Sequence, residues 1–494
     1  MTERIDVLVI GAGANGLSCA TALARAGRRV VCIEATDAPG GMAGGFDCAD
    51  GFRVPGLAQW CYPSDHTPIG EPMNTIVLDP DGEPVTIGAD SVQGVSTEDE
   101  TAWADFMARY LAFTAALQPL LDGPPPRLKD FPAADRKTLF RLAWKLRAGL
   151  GRDEMYEFLR VVGMNIYDLL NEHFDNERLK AAIAIDAVSG NAMGPRTPGT
   201  VLTWLHRLRG RLNGPMQSPV NYLPSLLAAA QAAGVEIRCG VAVKRLLIDN
   251  ETVSGAELAN GEQLHARQVV SGIDAKTTLL ELTDTRHLDA MFATRLSQVR
   301  DPGVVAHYSL ALAEMPRIRG VDSRSTGHRF LITPDLRGVE RAFNAVKYGE
   351  ASAAPIVEFS LPSVQDASLS PTGHLLSANV LFVPAGLSSD DKSALEQRIR
   401  DQLQSVIPDL NSKVRASCLL TPDDIQARCG HSHWHHGELS LHQSLMMRPV
   451  YGAAQYATPI DGLFLCSAGC HPGGDLGGRA GANAAKVVLA EGRS

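Results

Sequence analysis

The first hydrophobic positions of the chain form a continuous run, and an alanine- and leucine-rich stretch follows. Residues 5–10 (IDVLVI) are almost entirely apolar and end at a glycine, which is typical of a central parallel strand. Residues 18–26 predict a helix closed by Gly27, and residues 30–33 (VVCI) predict a second strand ending at Glu34. The pattern therefore predicts a β-turn-α-turn-β unit within about 30 residues.

The turn of this unit carries glycines at positions 11, 13 and 16 and Ala14 at the start of the helix. Gly11 allows a tight turn, Gly13 lets the backbone approach a pyrophosphate, and Gly16 lets helix and strand pack closely. The helix N-terminus then faces the phosphates. Glu34 follows about 20 residues later, where a carboxylate accepts hydrogen bonds from a ribose and repels a 2′-phosphate. The turn predicts a dinucleotide, FAD or NAD, and disfavours NADP.

Later stretches of the chain alternate between helical and strand-like patterns. Residues 97–121 predict a helix with Ser96 and Asp99 in a capping arrangement. Residues 226–233 predict another helix, and strand-like runs follow at 234–238, 243–248, 256–258 and 268–271, with a hairpin turn at Asn260-Gly261. The coenzyme sheet therefore resumes after a long insertion, and runs at 304–312 and 356–384 indicate a second sheet. Residues 462–466 predict a short buried strand, followed by a glycine-rich loop and a last helix at 480–491.

The composition limits the function classes. A chain of 494 residues is long enough for two domains, and 45% hydrophobic with 20% charged residues is an ordinary globular balance. The net charge of −9 argues against a nucleic-acid partner, because phosphate contacts need a basic surface. The nine cysteines lack CxxC pairs, which favours reduced thiols in the cytoplasm. No leader peptide or membrane-spanning helix is expected.

Residues 136–152 form a basic amphipathic segment. Lys137, Arg141 and Lys145 recur every four residues, and leucines occupy another face with aromatic residues at its border. Such a helix suits a membrane surface, so the protein would bind the membrane peripherally through this segment. The alternative, which the pattern favours slightly, is an ordinary surface helix packed on the core.

Histidines cluster between residues 431 and 442, together with Cys429. No acid or cysteine spacing completes a tetrahedral set, so we expect no metal site. Within the cluster, His436 and Glu438 are residue types that can accept a proton from a substrate. A buried structural histidine is the alternative for His436.

Taken together, the motifs of this chain resemble the phytoene-desaturase-like flavoproteins, in particular a branch that includes carotenoid ketolases and a mitochondrial oxidoreductase-domain protein. The resemblance covers nearly the whole chain and rests on several ordered segments. They are GAGANGL at 11–17, the glycine pair Gly40-Gly41, residues 234–271, PSVQDASLSPTGH at 362–374, TPDDI at 421–425, HHGELSLHQSLMMRP at 435–449 and GLFLCSAGCHPGG at 462–474.

The resemblance implies non-covalently bound FAD and an α/β fold, in which a Rossmann-type FAD-binding domain (residues 1–75, 220–290 and 455–494) is interleaved with an α+β substrate domain (76–219 and 291–454). It places Val243 near the adenine and residues 467–478 beside the pyrophosphate, ribitol and flavin. It also makes His436, which matches the family's His-Gly motif, the best candidate for a group that contacts substrate or cofactor, with Glu438 as a second. The cofactor contacts expected from the turn and from the resemblance are Gly11, Gly13, Ala14, Gly16, Glu34, Gly40, Gly41, Val243, Ser467, Gly469, Gly474, Asp475 and Gly478.

The chain departs from the family pattern at three places. Residues 219–222 replace a Gly-Gly-Met turn, Ser467 stands where a glycine is usual, and Asp475 replaces a third glycine after Pro472. We therefore do not carry a carotenoid substrate over from the family.

The function that these motifs predict is an FAD-dependent desaturase, dehydrogenase or oxidase. It would pass hydride from an apolar or amphipathic organic substrate to flavin N5, with oxygen, a quinone or another compound as electron acceptor. The alternatives are a flavin-dependent double-bond isomerase of a polyene and a non-catalytic binding protein that keeps the fold. The sequence does not specify the oligomeric state.

Overall fold

The structure is a computed structural model that describes residues 5–64, 70–127, 132–323, 325–474 and 476–491. Asp475, one of the expected cofactor contacts, lies outside these residues. The strands are, in chain order, β1 (Ile5–Ile10), β2 (Val30–Ile33), β3 (Phe46–Ala49), β4 (Phe52–Val54), β5 (Thr75–Leu78), β6 (Val85–Ile87), β7 (Val92–Gln93), β8 (Glu236–Arg238), β9 (Val243–Asp249), β10 (Thr252–Leu258), β11 (Gln263–Ser271), β12 (Val305–Leu312), β13 (Arg329–Ile332), β14 (Ile356–Ser360), β15 (His374–Leu381), β16 (Val414–Leu420) and β17 (Leu463–Leu465).

The α-helices of the described residues lie between these strands. In chain order they are α1 (Ala14–Arg25), α2 (Thr97–Leu121), α3 (Ala133–Trp144), α4 (Arg152–Val161), α5 (Ile166–His173), α6 (Glu177–Val188), α7 (Thr200–Leu208), α8 (Tyr222–Ala232), α9 (Ala290–Ser297), α10 (Leu336–Lys347), α11 (Ser389–Val406), α12 (Leu410–Lys413), α13 (Pro422–Cys429) and α14 (Arg479–Glu491). The mixture of helices and sheets agrees with the predicted α/β class.

The first sheet carries the β-turn-α-turn-β unit. Its strand order is β8-β2-β1-β11-β10-β9, and β17 pairs with β11. Strands β8, β2, β1, β11 and β17 run parallel, whereas β9, β10 and β11 form an antiparallel ribbon. All residues of β2 and nearly all of β1 are buried, as their continuous apolar runs predict. Helices α1 and α14 pack against each other beside this sheet. This is the Rossmann-type arrangement that the sequence predicts.

The second sheet has eight strands in the order β16-β12-β15-β14-β13-β5-β6-β7. It is mostly antiparallel, although β13 and β5 run parallel. Its strands come from residues 75–93 and 305–420, and helices α2 to α7 lie between these segments in the chain. Phe292 and Leu296 of α9 and Val450 pack in the core of the first sheet. The residue bounds of the two domains stay a prediction.

Local signals in the sequence locate several elements. Helix α2 spans the predicted residues 97–121, and the Ser96 side chain accepts a hydrogen bond from Asp99 N. Asn260-Gly261 forms the turn between β10 and β11, and Gly261 has φ +88°. Helix α8 begins at Tyr222, four residues before the prediction, and Pro224 lies in its first turn, where the missing N–H costs no helical hydrogen bond.

The basic segment 136–152 is not one regular helix. Helix α3 continues through a wider turn at residues 145–149, and Gly151, with φ +84°, separates it from α4. Lys145, the third member of the four-residue basic repeat, donates from its Nζ to Ala115 O of α2 at 2.9 Å. Leu142 and Leu146 also pack toward the core. Part of the segment therefore packs on α2, and contact of its exposed residues with a membrane stays a prediction.

Candidate functional site

A cavity of about 970 Å³ extends along the carboxyl ends of the parallel strands. One end, here called the glycine end, is lined by the turn after β1, by Glu34, by Gly40 and Gly41, and by Val243. The other end, here called the arginine end, is lined by side chains from distant segments: Trp60, Tyr62, His206, Arg207, Glu358 and Asn379. Ligand sites in open α/β sheets lie at this edge.

The glycines of the first turn have different surroundings. Gly11 has φ +89°, which favours glycine. A Cβ on Gly16 would lie 1.9 Å from Gly11 O, so this position lets α1 pack against the turn. A Cβ on Gly13 would meet no heavy atom within 4 Å, and no side chain caps helix α1, which begins at Ala14. Open space therefore lies in front of uncapped N–H groups, as an anion-binding helix N-terminus requires.

Gly40 and Gly41 lie directly against this turn. Gly40 N donates to Ala12 O at 2.9 Å, and Gly40 has φ +132°. A Cβ on Gly40 would lie 2.7 Å from Gly44 Cα, and one on Gly41 would lie 3.5 Å from Gly13 Cα. The two glycines thus let a second backbone segment close over the first turn.

Glu34 fixes the end of β2. Its Oε2 accepts a hydrogen bond from Ala12 N at 2.8 Å, and its Oε1 accepts from Thr36 N and Thr36 Oγ1 at 3.1 and 2.9 Å. Val243 begins β9 and also lines the cavity. The carboxylate therefore stands at the cavity wall, where a ribose hydroxyl can donate to its remaining lone pairs.

The C-terminal loop contributes to the site in two ways. Gly474 lines the cavity, whereas Ser467, Gly469 and Gly478 are not among its lining residues. Ser467 Oγ accepts from Gly469 N at 3.1 Å, and a Cβ on Gly469 would lie 2.9 Å from His436 O. A Cβ on Gly478 would lie 2.9 Å from Ser18 Cβ of α1. These three residues shape the loop, and direct contact of them with a cofactor stays a prediction.

Arg448 connects this loop to the histidine cluster. Its buried guanidinium donates to the carbonyl oxygens of His435, Gly437, Glu438 and Ala468 at 2.7 to 3.1 Å. Burial lowers the pKa of Arg448 to about 10. The side chain thus joins the 435–438 segment to the loop at Ala468, and His435 and Ala468 line the cavity.

His436 lines the cavity, and Glu438 does not. Burial, with His431 nearby, lowers the pKa of His436 to about 3, and its Nδ1 has no partner among the described residues. The Glu438 carboxylate lies 3.4 Å from Arg300 Nη2, and burial raises its pKa to about 7. His436 is therefore placed for contact with a ligand in its neutral form, whereas the geometry does not support Glu438 as a group in contact with substrate.

A buried ion cluster forms the wall of the arginine end. Arg329 lies 2.7 Å from Asp186 and 2.7 Å from Glu358, and its guanidinium carbon lies 5.2 Å from the centre of the Trp60 ring. Trp60 Nε1 donates to Glu358 at 2.9 Å, and Asn379 Nδ2 donates to the same carboxylate at 3.2 Å. Arg329, Trp60 and Asn379 thus stabilise the Glu358 carboxylate, and Arg329 shares its charge with Asp186.

Arg207 stands beside this cluster on helix α7. Burial lowers its pKa, and its Nη2 donates to Ser189 O. The Tyr62 ring packs closely on the backbone after α7, since a Cβ on Gly210 would lie 2.2 Å from it, and burial raises the Tyr62 pKa to about 12. Tyr62 therefore keeps its proton and Arg207 keeps its charge at neutral pH.

The family model for FAD-dependent oxidoreductases matches residues 6–438 of this chain. The chain belongs to this family. FAD is therefore its cofactor, and the glycine end has the features needed to hold it: the open space at Gly13, the uncapped N-terminus of α1 and the Glu34 carboxylate at the cavity wall. A cavity of about 970 Å³ is at the upper end of ligand-site volumes, as expected for a dinucleotide with a substrate.

Curated relatives cover almost the whole chain. Pyridine nucleotide-disulfide oxidoreductase domain-containing protein 2 of Rattus norvegicus is 28% identical, over 99% of this chain and 94% of its own length. Hydroxyneurosporene desaturase of Cereibacter sphaeroides is 25% identical, over 98% of this chain and 97% of its own length. These relatives agree with the resemblance to phytoene-desaturase-like flavoproteins that the motifs indicate.

A solved structure shares the fold at low identity. Cyclohexylamine oxidase from Brevibacterium oxydans superposes with a TM-score of 0.56 at 15% identity, over 99% of this chain and all of that chain. At this identity the likeness concerns the fold alone.

Within the described ranges, no group of three or more histidine, cysteine, aspartate or glutamate side chains is arranged to hold a metal ion. In the same part of the chain, no helix is long and apolar enough to cross a membrane.

The residues of the arginine end were not predicted from the sequence. Tyr62, Arg207, Arg329 and Glu358 belong to no motif and lie far apart in the chain. Arg448 stood inside a motif of the family resemblance but received no role. The sequence held a weak signal. Arg329 begins the mostly apolar strand β13 and Glu358 lies within the mostly apolar strand β14, and charged residues are rare in buried strands.

Proposed function

We propose that this FAD-dependent oxidoreductase removes hydride from an apolar or amphipathic organic substrate bound at the arginine end. The observation that carries the proposal is the continuity of the cavity from the first glycine turn to Arg207 and Tyr62. A cofactor that fills the glycine end leaves the arginine end for a second ligand next to it. The aromatic rings of Trp60 and Tyr62 offer apolar surface for the body of that ligand.

The bound cofactor supplies a hydride acceptor at flavin N5. The protein residues orient the two ligands and exclude water. Gly13 and the N-terminus of α1 hold the phosphates, and Glu34 holds the ribose. Arg448 keeps the loops around His435 and Ala468 in place at the middle of the cavity.

His436 serves in this proposal as a neutral group at the cavity wall. A pKa of about 3 means that the imidazole accepts a hydrogen bond from the substrate but does not retain a proton at neutral pH. It can therefore orient a substrate O–H or N–H, or pass a proton on. A catalytic role of Glu438 has no support from this geometry.

We also propose a peripheral membrane contact through α3. The Phe140 and Trp144 rings stack on each other at 6.4 Å and are 68% and 64% exposed. Arg136, Lys137 and Arg141 are exposed on the same helix. Exposed aromatic rings beside basic side chains suit a surface of anionic lipid, from which an apolar substrate would enter.

Flavin reduction without oxygen tests the main proposal. The purified protein is expected to be yellow, or to become so with added FAD, and at least one compound in a panel of lipid-like, carotenoid and amine substrates should bleach the band at about 450 nm. A protein that cannot be reconstituted with FAD would contradict the proposal. Turnover that occurs only after prior reduction of the flavin would instead favour the isomerase alternative.

A further inference from the structure

Arg207 is a cation without an anion of its own. Within the described residues it forms no ion pair, since Asp186 and Glu358 both pair with Arg329 at 2.7 Å. Its Nη2 donates to a carbonyl oxygen of Ser189, whereas neither Nε nor Nη1 has a partner in the described part of the chain. A buried guanidinium with unused donors is costly unless a ligand completes it.

The charges around the arginine end reinforce this demand. The pKa of His206 is lowered by burial and then by Arg209, Arg448, His471 and Arg207. The pKa of His435 is lowered by burial and then by Arg207 and Arg448. Arg207 and Arg448 thus act on both histidines, while Asp186 and Glu358, which raise the pKa of Arg207, offset part of the positive charge at this wall.

The neighbouring carboxylates already have partners of their own. Glu358 accepts from Trp60, Asn379 and Arg329, so most of its about four lone-pair sites are occupied. A cationic ligand would find no free carboxylate there, whereas an anionic one would find Arg207. The planar fork of a guanidinium matches a carboxylate best.

We propose that the substrate of this enzyme is an amphipathic acid whose carboxylate binds Arg207 at the arginine end. This proposal rests on the proposed function and names the substrate class for it. The apolar body of the acid lies along Trp60 and Tyr62 toward the middle of the cavity. Arg207 is a binding residue here, and it takes no part in the transfer of hydride.

Binding of matched ligands to the FAD-loaded protein tests this assignment. Decanoate, decan-1-ol and decylamine share one apolar chain and differ in the head group. We expect the affinity for decanoate to be at least about ten-fold higher than for the other two compounds. Calorimetry and changes in the flavin absorption spectrum measure the three affinities. In Arg207→Gln, decanoate should weaken by about 10- to 100-fold while decan-1-ol changes little. Arg207→Lys should recover part of the loss.

Arg286→Gln is the matched control, because Arg286 is an exposed cation whose loss changes the net charge equally. It should leave all three affinities unchanged. Preference for decylamine, absence of decanoate binding, or an unchanged ratio of decanoate to decan-1-ol in Arg207→Gln would each overturn the proposal. The same holds if Arg207→Gln loses FAD, since Arg207 would then serve the cofactor.

The two proposals fail in different ways. A wild-type protein that retains no flavin would contradict the proposed function, yet calorimetry would still show whether decanoate binding depends on Arg207. If the protein is yellow, is reduced by a neutral substrate and binds the three compounds equally well, the proposed oxidoreductase function stands. The proposal of an acid substrate is then wrong.

Discussion

The glycine end and the arginine end of the cavity differ in the groups that form their walls. At the glycine end the wall is backbone, and close approaches at Gly16 and Gly40 leave no room for side chains. At the arginine end the wall is side chain, and buried charges such as Arg329 and Glu358 hold it in shape. The first end depends on short stretches of chain, whereas the second depends on pairs of residues far apart in sequence. A change of charge should therefore damage one end and spare the other.

Removal of Arg329 should have the largest effect. Arg329→Met leaves Glu358 as a buried carboxylate, and Asp186 as a partly buried one, without their cation. We expect a loss of about 3–5 kcal/mol in the free energy of unfolding. Urea denaturation measures the loss. Arg160→Met is the control, since its ion pairs with Glu157 and Glu172 are exposed and should contribute less than about 1 kcal/mol. Equal, small losses in the free energy of unfolding of both variants would contradict the claim that buried charges hold the arginine end in shape.

Acid should weaken the fold through its buried histidines. Burial lowers the pKa of His307 and His471 from 6.5 to about 4, so the unfolded chain binds protons that the folded chain does not. Their contribution is complete above pH 6.5 and is lost as pH falls toward 4, at about 1 kcal/mol per pH unit for each histidine.

Melting temperatures between pH 7 and pH 4.5 measure this slope. His307→Gln should make the slope shallower whatever its effect at neutral pH, and exposed His265→Gln should not. A slope that is the same in all three proteins would show that His307 does not bind protons differently in the two states.

The smallest effect on stability concerns the membrane contact. Phe140→Ser combined with Trp144→Ser should change the free energy of unfolding by less than about 0.5 kcal/mol, because both rings are exposed. It should nevertheless reduce flotation with anionic liposomes. Tyr348→Ser, at a residue 82% exposed on another surface, is the control. Equal flotation of both variants would rule out α3 as the contact.

The sequence predicted those parts of the molecule that local chemistry determines. The turn from Gly11 to Gly16, the Ser96 cap and the Asn260-Gly261 hairpin each lie within a few residues, so steric and hydrogen-bonding rules suffice. The family resemblance added the link between this turn and the C-terminal loop. The contact of Lys145 with Ala115 O could not be predicted, because only the packing of the segment on α2 shows which carbonyl groups its side chain can reach.

The residues of the arginine end could not be predicted from local sequence in the same way. Arg207, Tyr62 and Glu358 meet only when α7, the segment before β5 and the second sheet have packed together. Their individual residue types are common on protein surfaces, and burial alone makes them informative. The prediction of an apolar or amphipathic substrate was therefore made without the charge that the structure reveals.

Binding of FAD to the apoprotein of Gly13→Val tests the central claim most directly. Gly13 has ordinary extended backbone, and a Cβ there meets no protein atom within 4 Å, so the variant should fold with an unchanged melting temperature in the absence of FAD. Gly163→Val is the matched control at an exposed glycine with equally open surroundings. The account predicts that Gly13→Val loses about 100-fold or more in FAD affinity while Gly163→Val binds like the wild type. Wild-type affinity in a folded Gly13→Val protein would contradict the placement of the cofactor at the glycine end.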